Sequence, residues 1–311
     1  MKGHAGGKVS FTLIGDDMAE LERLTMETET TKFMLLMAVY HVFLSRYSGQ
    51  EDIIVGSPVA GRFHSDLQEM IGMFVNTIGL RSQPAGHKRF IDFLTEVKAL
   101  SLQAFEYQEY PFEKLIENLQ LPRDSSRHPL FQTVLVFEED QTDSFRAGDI
   151  QFVSLHDPNP IEKFDFTLFA KQTKSGLHIT LSYDLQLFSE ETAKRMLQHF
   201  RTLLSRVIEQ PMGQICGLEI LQDEEKVQIS EIFNNTKTNY PVYPSIHACI
   251  EEQAKIASQR PALVFKDQSL TYDQLNRKAN QLARVISRSG VRSDEIVGII
   301  AHHSLEMVVG M

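Results

Sequence analysis

The sequence predicts an α/β fold on an antiparallel or mixed sheet, and three observations predict it. Around a "TKSG" turn, Phe164, Phe166, Leu168 and Ala170 share one face of an alternating run, and Leu177, Ile179, Leu181 and Tyr183 share the face of the next. Two other stretches repeat at helical spacing: Phe90, Phe93, Leu94, Val97, Leu100 and Ala104, then Met196, Leu197, Phe200, Leu203, Leu204 and Val207. The composition is that of an ordinary globular chain, with 311 residues, 42% hydrophobic and 23% charged.

The elements follow in order. Asp16 to Thr28 reads as a helix that Asp16 or Asp17 caps. Thr30 or Thr31 starts a second helix ending near Gly49; Phe33 to Leu44 is apolar almost all round, so this helix is expected to be buried on several sides. In "DIIVGSPVAGR" (Asp52 to Arg62), Ile53-Ile54-Val55 reads as a buried strand that Gly56 and Pro58 break. Met73 to Arg81 reads as another strand, Phe90 to Tyr107 as an amphipathic helix, and Pro111 starts a short helix through Leu119. Phe131 to Phe137 and Ile150 to Leu155 read as strands, with the polar "EEDQTDSFRAGD" between them as a loop. The hairpin of residues 163–183 and a helix from Glu190 to Ile208 complete this part.

The character changes at Gln210. Residues 210–244 carry "QPMGQ", an acidic helix at Asp223 to Phe233 and "NNTKTNYPVYP", the composition of a linker over a surface. A new pattern follows: a helix at Ile246 to Ala257, strands at Ala262 to Lys266 and Leu270 to Tyr272, and a helix at Asp273 to Ser289. In that helix Leu275, Ala279, Leu282, Ala283 and Ile286 face inward, and an apolar strand is expected at Ile296 to Ala301.

Charge and cysteines exclude some classes. A net charge of −10 and a pI near 5.6, with no run of Lys and Arg, argue against nucleic acid as a partner. Cys216 and Cys249 make no metal spacing and read as reduced core thiols, which fits a cytoplasmic protein. Met1 to Gly7 is short and polar with no apolar run behind it, so no leader is expected. The longest apolar run, Phe33 to Leu44, falls short of the ~20 residues that cross a bilayer. His247 with Glu251, and His302 with Glu306, stand four apart without further ligands, so no metal is expected.

Several stretches carry a resemblance. "IGMFVNTIGLR" (Ile71 to Arg81), "YQEYPFEKL" (Tyr107 to Leu115) and "RDSSRHPLF" (Arg123 to Phe131) stand in order and resemble three motifs of the condensation domains of nonribosomal peptide synthetases. "SRYSGQEDIIVGSPVAGR" (Ser45 to Arg62) adds a fourth. "LTYDQLN" (Leu270 to Asn276) resembles the first core motif of adenylation domains. The resemblance implies residues 1–209 as the C-terminal subdomain of a condensation domain, 210–244 as a linker, and 245–311 as the start of an adenylation domain. It implies a chloramphenicol-acetyltransferase-like half-domain with a mixed or antiparallel sheet, then a partial α/β adenylate-forming domain. The parent would condense aminoacyl or peptidyl thioesters carried on phosphopantetheine arms, and activate an amino acid with ATP and Mg. Its partners would be carrier proteins, the other condensation half and the rest of the adenylation domain.

The motif positions supply the candidate residues: Gly72, Phe74, Asn76, Thr77 and Arg81; Pro111, Phe112 and Glu113; Arg123, Asp124 and Arg127; and, in the adenylation motif, Leu270, Thr271, Tyr272 and Leu275. Asn76 reads either as a group beside the reaction tunnel that places a bridging segment or as an Asn satisfying backbone groups. Pro111-Phe112-Glu113 reads as a helix junction or as part of a carrier-facing surface. Arg123, Asp124 and Arg127 read as a salt-bridged corner or as an Arg contact to an acidic carrier. The family's reactive His-His-x-x-x-Asp-Gly is not found: after His302-His303 its Asp and Gly positions hold Met307 and Val308. No phosphate-cradling Gly-rich loop occurs either. No catalytic residue is therefore expected here, nor a cofactor bound by this chain, and the half-domain is expected to self-associate through an uncovered apolar face. Two rival readings stay open: an epimerisation or ester-forming domain of the same superfamily, and a non-catalytic scaffold or carrier-docking piece.

Overall fold

The computed structural model describes residues 4–62, 64–121, 128–139, 144–153, 161–239, 243, 245–292 and 294–311. The chain divides into two compact units, Met1–Phe233 and Asn234–Met311. In the first unit the order is β1 (His4–Leu13), α1 (Gly15–Glu27), α2 (Lys32–Ser48), β2 (Ile53–Val59), β3 (Asn76–Ser82), α3 (Phe90–Glu106), α4 (Phe112–Leu119) and β4 (Thr133–Glu139). There follow β5 (Ser144–Ala147), β6 (Ile150–Val153), β7 (Ile161–Glu162), β8 (Phe166–Thr173), β9 (Gly176–Asp184), α5 (Glu190–Glu209) and α6 (Asp223–Val227).

A seven-stranded sheet runs β3-β2-β4-β8-β9-β1-β7. It is mixed: β4 pairs parallel with β8 and β2, while β2–β3, β8–β9, β9–β1 and β1–β7 are antiparallel. The hairpin expected at residues 163–183 is β8–β9, with Thr173 opposite Gly176 at its turn. Strand residues alternate between faces. Leu168, Ala170, Ile179, Leu181 and Tyr183 join the core with the helices, while Thr167, Phe169 and Ser182 face the other way and line a cavity.

Helix α2 lies at the centre of that core. Phe33 to Leu44 are all buried, as their unbroken apolarity requires. Thr31 caps the helix by accepting from the Met34 amide. His41 is the one imidazole in that buried run: its nitrogens face the carbonyls of Met37 at 2.8 Å and Leu80 at 3.1 Å, joining α2 to β3. Tyr40 stacks on Phe43 and meets Phe166 and Phe200 edge-on, and its hydroxyl bonds the Thr133 hydroxyl. Each such fully buried side chain stabilises the fold by about 1.5–3 kcal/mol.

Several expectations are corrected. The N-cap of α1 is Ile14, so Asp16 and Asp17 lie inside the first turn, where their charge still favours the helix N-terminus. Strand β2 is not broken at Gly56 and Pro58 but runs through both. It pairs with β3 along its whole length, with Pro58 opposite Thr77, and meets β4 at Gly56↔Val134, so the β3 ladder carries the strand past both residues. Strand β3 begins at Asn76, not Met73, because β2 ends opposite it at Val59. The polar loop before Ile150 contains β5, which pairs with β6 as a separate hairpin. Strand β1 is added by the structure; in it Val9, Phe11 and Leu13 alternate with Lys8, Ser10 and Thr12. Cys216 is exposed and Cys249 half-buried, so neither is a core thiol.

The segment after α5 packs back on the first unit. Arg46 donates to the carbonyls of Ile215, Cys216 and Leu218 at 2.6, 2.7 and 3.2 Å. The amides of Phe90 and Ile91 donate to Gly213 and Pro211, and Ile215 and Leu218 are buried. His199 bridges Tyr47 at 2.5 Å and Glu225 of α6 at 2.7 Å. The boundary between compact units thus falls after Phe233, inside the stretch that reads as a linker.

The second unit holds α7 (Ile246–Ile256), a hairpin of β10 (Pro261–Phe265) and β11 (Gln268–Thr271), α8 (Tyr272–Arg288) and α9 (Leu305–Gly310). Leu270, Leu275 and Leu305 are its buried apolar residues. Leu282 and Ala283 are exposed, not inward, whereas Ala279 and Ile286 are half-buried. Ile296 to Ala301 is not a strand: no described strand lies beside it, and Ile296 and Ile300 are fully exposed.

Candidate functional site: a motif corner beside an open sheet face

Residues of the three condensation-like motifs converge at one corner of the first unit. Asn76, the first residue of β3, donates from Nδ2 to the carbonyls of Gln108 and Tyr110, both at 2.8 Å. Its Oδ1 accepts from the Phe112 amide at 3.4 Å. The side chain thereby satisfies three backbone groups at the junction of α3 and α4, where Pro111 caps the second helix and Glu113 sits exposed in its first turn. The Phe112 ring lies against His128 at 5.4 Å and Phe131 at 5.6 Å, and Phe164 closes the group 5.3 Å from His128. Burial lowers the His128 pKa from its ordinary value, against an opposing backbone hydrogen bond at Phe131.

Close backbone approaches shape this corner. A Cβ on Gly56 would stand 2.3 Å from the Phe131 ring, so glycine lets the aromatic group lie flat on β2. Gly61 has φ +65°, and a Cβ there would meet the Phe74 carbonyl at 1.9 Å. Arg62, next along, stacks over the Phe74 ring at 4.5 Å. Gly72 lies in the bend just before, exposed, beside Ile71 and Met73, which are also exposed. Arg81, at the far end of β3, forms a two-pronged pair with Asp52 at 2.8 and 2.6 Å. That contact lowers the Asp52 pKa.

Thr77, one residue on from Asn76, points to the open face. There it lines a cavity of about 300 Å³ with Pro58, Val134, Val136, Thr167 and Phe169. Lys8, Lys163 and Glu162 border the same space, and Glu162 is only 7% exposed. A second, larger groove of about 730 Å³ runs between β1 and α5, past Ser10, Lys194 and Arg201, and holds no motif residue. Of the residues named from sequence, the structure brings Asn76, Thr77, Pro111, Phe112 and Glu113 together; Phe74 packs against Gly61 and Arg62, and Arg81 stands apart. Arg123, Asp124 and Arg127 lie outside the described residues. His128, Phe131 and Gly56 were not singled out, although they stand inside the quoted stretches. Nothing in the sequence marks Glu162.

The residues of the adenylation-like motif have a local task. Leu270 and Leu275 are buried. Thr271 and Gln274 form a reciprocal capping box at the start of α8, at 3.2 and 2.9 Å. Tyr272 donates its amide to Arg260. The Thr271 hydroxyl is engaged in the capping box and Leu270 and Leu275 are buried, so these residues serve the packing of this unit. Among the described residues no three His, Cys, Asp or Glu side chains form a metal-ligand set, and no helix is long and apolar enough to cross a membrane.

Comparison with known proteins decides the family. The model of the condensation domain matches residues 2–230. The chain belongs to the condensation-domain family. The model of the AMP-binding enzyme matches residues 250–311, in the order expected from the motifs. Gramicidin S synthase 2 of Brevibacillus brevis is 42% identical over 308 residues, covering 98% of this chain and 7% of the synthase. Bacitracin synthase 3 of Bacillus licheniformis is 40% identical over 306 residues, covering 98% of this chain and 5% of the synthase. The condensation-family chain thus spans under a tenth of the length of these relatives. Among solved structures, a four-domain nonribosomal peptide synthetase bound to AMP and glycine aligns over 92% of this chain and 23% of its own, with TM-score 0.72 and 23% identity. The first condensation domain of the calcium-dependent antibiotic synthetase aligns over 71% of this chain and 49% of its own, with TM-score 0.60 and 17% identity. The fold is therefore the α/β, chloramphenicol-acetyltransferase-like fold of condensation domains, and the aligned part equals about half of one.

Proposed function

We propose that this chain is a working part of a multimodular peptide synthetase, and that its first unit supplies one wall of a peptide-bond-forming chamber. Residues 1–209 are the C-terminal subdomain of the condensation domain, 210–244 the connection, and 245–311 the opening of an adenylation domain. The observation that carries this reading is the order of the two family matches on one polypeptide, over nearly its whole length.

The whole synthetase joins aminoacyl or peptidyl groups presented as thioesters on the phosphopantetheine arms of carrier proteins. It also activates an amino acid as its adenylate with ATP and Mg, held by residues other than the capping motif described above. The open sheet face at Thr77 is the chamber wall, and Gly72, Phe74, Asn76, Pro111, Phe112 and Glu113 shape its rim. Arg81 braces the edge strand. Amide formation needs a polar group to orient the amine and stabilise the tetrahedral intermediate. That group comes from the facing half. Alone, the chain is inactive and self-associates through exposed residues such as Ile71 and Met73. The protein is cytoplasmic.

The test supplies donor and acceptor aminoacyl thioesters on carriers to the module that contains this chain, with dipeptide read by mass spectrometry. Dipeptide is the expected product. Its absence with both carriers loaded and intact would overturn the reading.

A further inference from the structure

Glu162 is a buried carboxylate whose position in β7 fixes one oxygen and leaves the other open. Strand β7 is two residues long and is pinned to the start of β1 by the pairs Ala5↔Ile161 and His4↔Glu162. Glu162 Oε1 accepts from the Thr167 hydroxyl at 2.8 Å and from the amides of Lys163 at 3.2 Å and Phe164 at 3.4 Å. Three donors on one oxygen lock the orientation of the carboxylate. Among the described residues, no donor reaches Oε2, and no Lys, Arg or His comes within ion-pair distance of the group, although Lys8 and Lys163 border the same cavity. The space beside Glu162 is the cavity of about 300 Å³ that Thr77 lines, with an apolar floor of Val134, Val136 and Phe169.

A carboxylate that is 7% exposed and has no counter-charge among the described residues costs free energy, and a cation entering the cavity removes that cost. The cavity is small, its floor is apolar and its walls carry the hydroxyls of Thr77, Thr167 and Ser182. That chemistry suits a primary ammonium or amine on a short, partly apolar group. A large polycation is excluded by size and by Lys8 and Lys163 at the border.

From this geometry we infer that Glu162 is a positioning residue for an amine-bearing substrate on the open sheet face. This rests on the proposed function, under which the amine is the α-amino group of the acceptor aminoacyl thioester. Glu162 Oε2 accepts a hydrogen bond from that amine and holds it over the floor of the cavity.

The experiment uses the module containing this chain and two soluble acceptor analogues: an aminoacyl-pantetheine thioester, and its counterpart with a hydroxyl in place of the amine. In the wild type the KM of the amine is expected to lie at least about tenfold below the inhibition constant of the hydroxyl analogue, as loss of a charge-assisted hydrogen bond implies. Glu162→Gln keeps the acceptor at Oε1 and removes the charge. It is expected to erase that preference and raise the acceptor KM about tenfold or more, with ATP–pyrophosphate exchange unchanged. Equal values for the two analogues in the wild type would overturn the inference without any variant. So would a Glu162→Gln module that keeps the preference. If the wild-type module makes no dipeptide from loaded carriers, the proposed function itself fails, a result distinct from dipeptide formation without amine preference.

Discussion

Asn76 Oδ1 accepts from the Phe112 amide at 3.4 Å, and through this contact the first residue of β3 holds the first residue of α4. The same side chain carries the carbonyls of Gln108 and Tyr110 on its nitrogen. An amide is the side chain that can do both, since it offers donors and an acceptor on one short stem. Asn76→Ala is therefore expected to lower the stability of the first unit by about 2–3 kcal/mol, read as a shift in urea midpoint. Asn76→Asp, which keeps the oxygen and loses the donors, is expected to be no better. A variant as stable as the wild type would remove the clamp from the account.

Gly56 and Phe131 make a second testable contact. Gly56→Ala forces a methyl to within 2.3 Å of the ring and is expected to destabilise by about 1–3 kcal/mol. Phe131→Leu in the same chain relieves the clash, so the double variant should lose less than the two single losses added together. Strict additivity in a double-mutant cycle would show that the two residues do not touch.

A loss of stability in mild acid is expected from His41. Burial outweighs the two carbonyl contacts and holds its pKa below the ordinary 6.5. Above 6.5 the imidazole is neutral in both folded and unfolded chains. As pH falls below 6.5, the unfolded chain takes up a proton that the folded chain does not, so stability is lost down to the folded pKa. Denaturation midpoints should therefore fall from pH 7 to pH 5, and the slope should flatten in His41→Gln. An unchanged slope would assign the acid sensitivity elsewhere.

Arg46 gives a prediction for the segment after α5. One guanidinium nitrogen meets three carbonyls, so Arg46→Ala should loosen residues 211–222 without unfolding the sheet. Faster hydrogen exchange at the Ile215 and Cys216 amides, with core amides unaffected, is the expected pattern. Exchange at wild-type rates would mean that burial of Ile215 and Leu218 suffices.

How much was legible depended on the kind of signal. Helices α3 and α5 and the β8–β9 hairpin could be read because each carries a periodicity that one buried face demands, and α2 because its apolarity is unbroken all round. Ile296 to Ala301 is as apolar as a strand, yet strandhood needs a neighbour, and sequence does not show who lies alongside. Gly56 and Pro58 have the local preferences of breakers, but the Phe131 ring that Gly56 admits and the β3 ladder that runs past Pro58 are properties of the fold. The corner formed by Asn76 and Phe112 was half legible: the motifs named the residues, but their convergence is a property of the fold. Glu162 was invisible, since a lone glutamate before "KFDF" gains meaning only from Thr167 and the cavity beside it.

The open sheet face, and not the larger groove along α5, is proposed as the place where the chemistry happens. Thr77→Arg places a long charged side chain in the cavity, and Ser10→Arg places the same one in the groove. Dipeptide formation by the module with carrier-loaded substrates is the direct measurement. A loss of at least about tenfold is expected for Thr77→Arg, the size expected when a reacting group is displaced, with wild-type melting and near wild-type rates for Ser10→Arg. Full activity in a folded Thr77→Arg module, with the loss falling on Ser10→Arg instead, would contradict it.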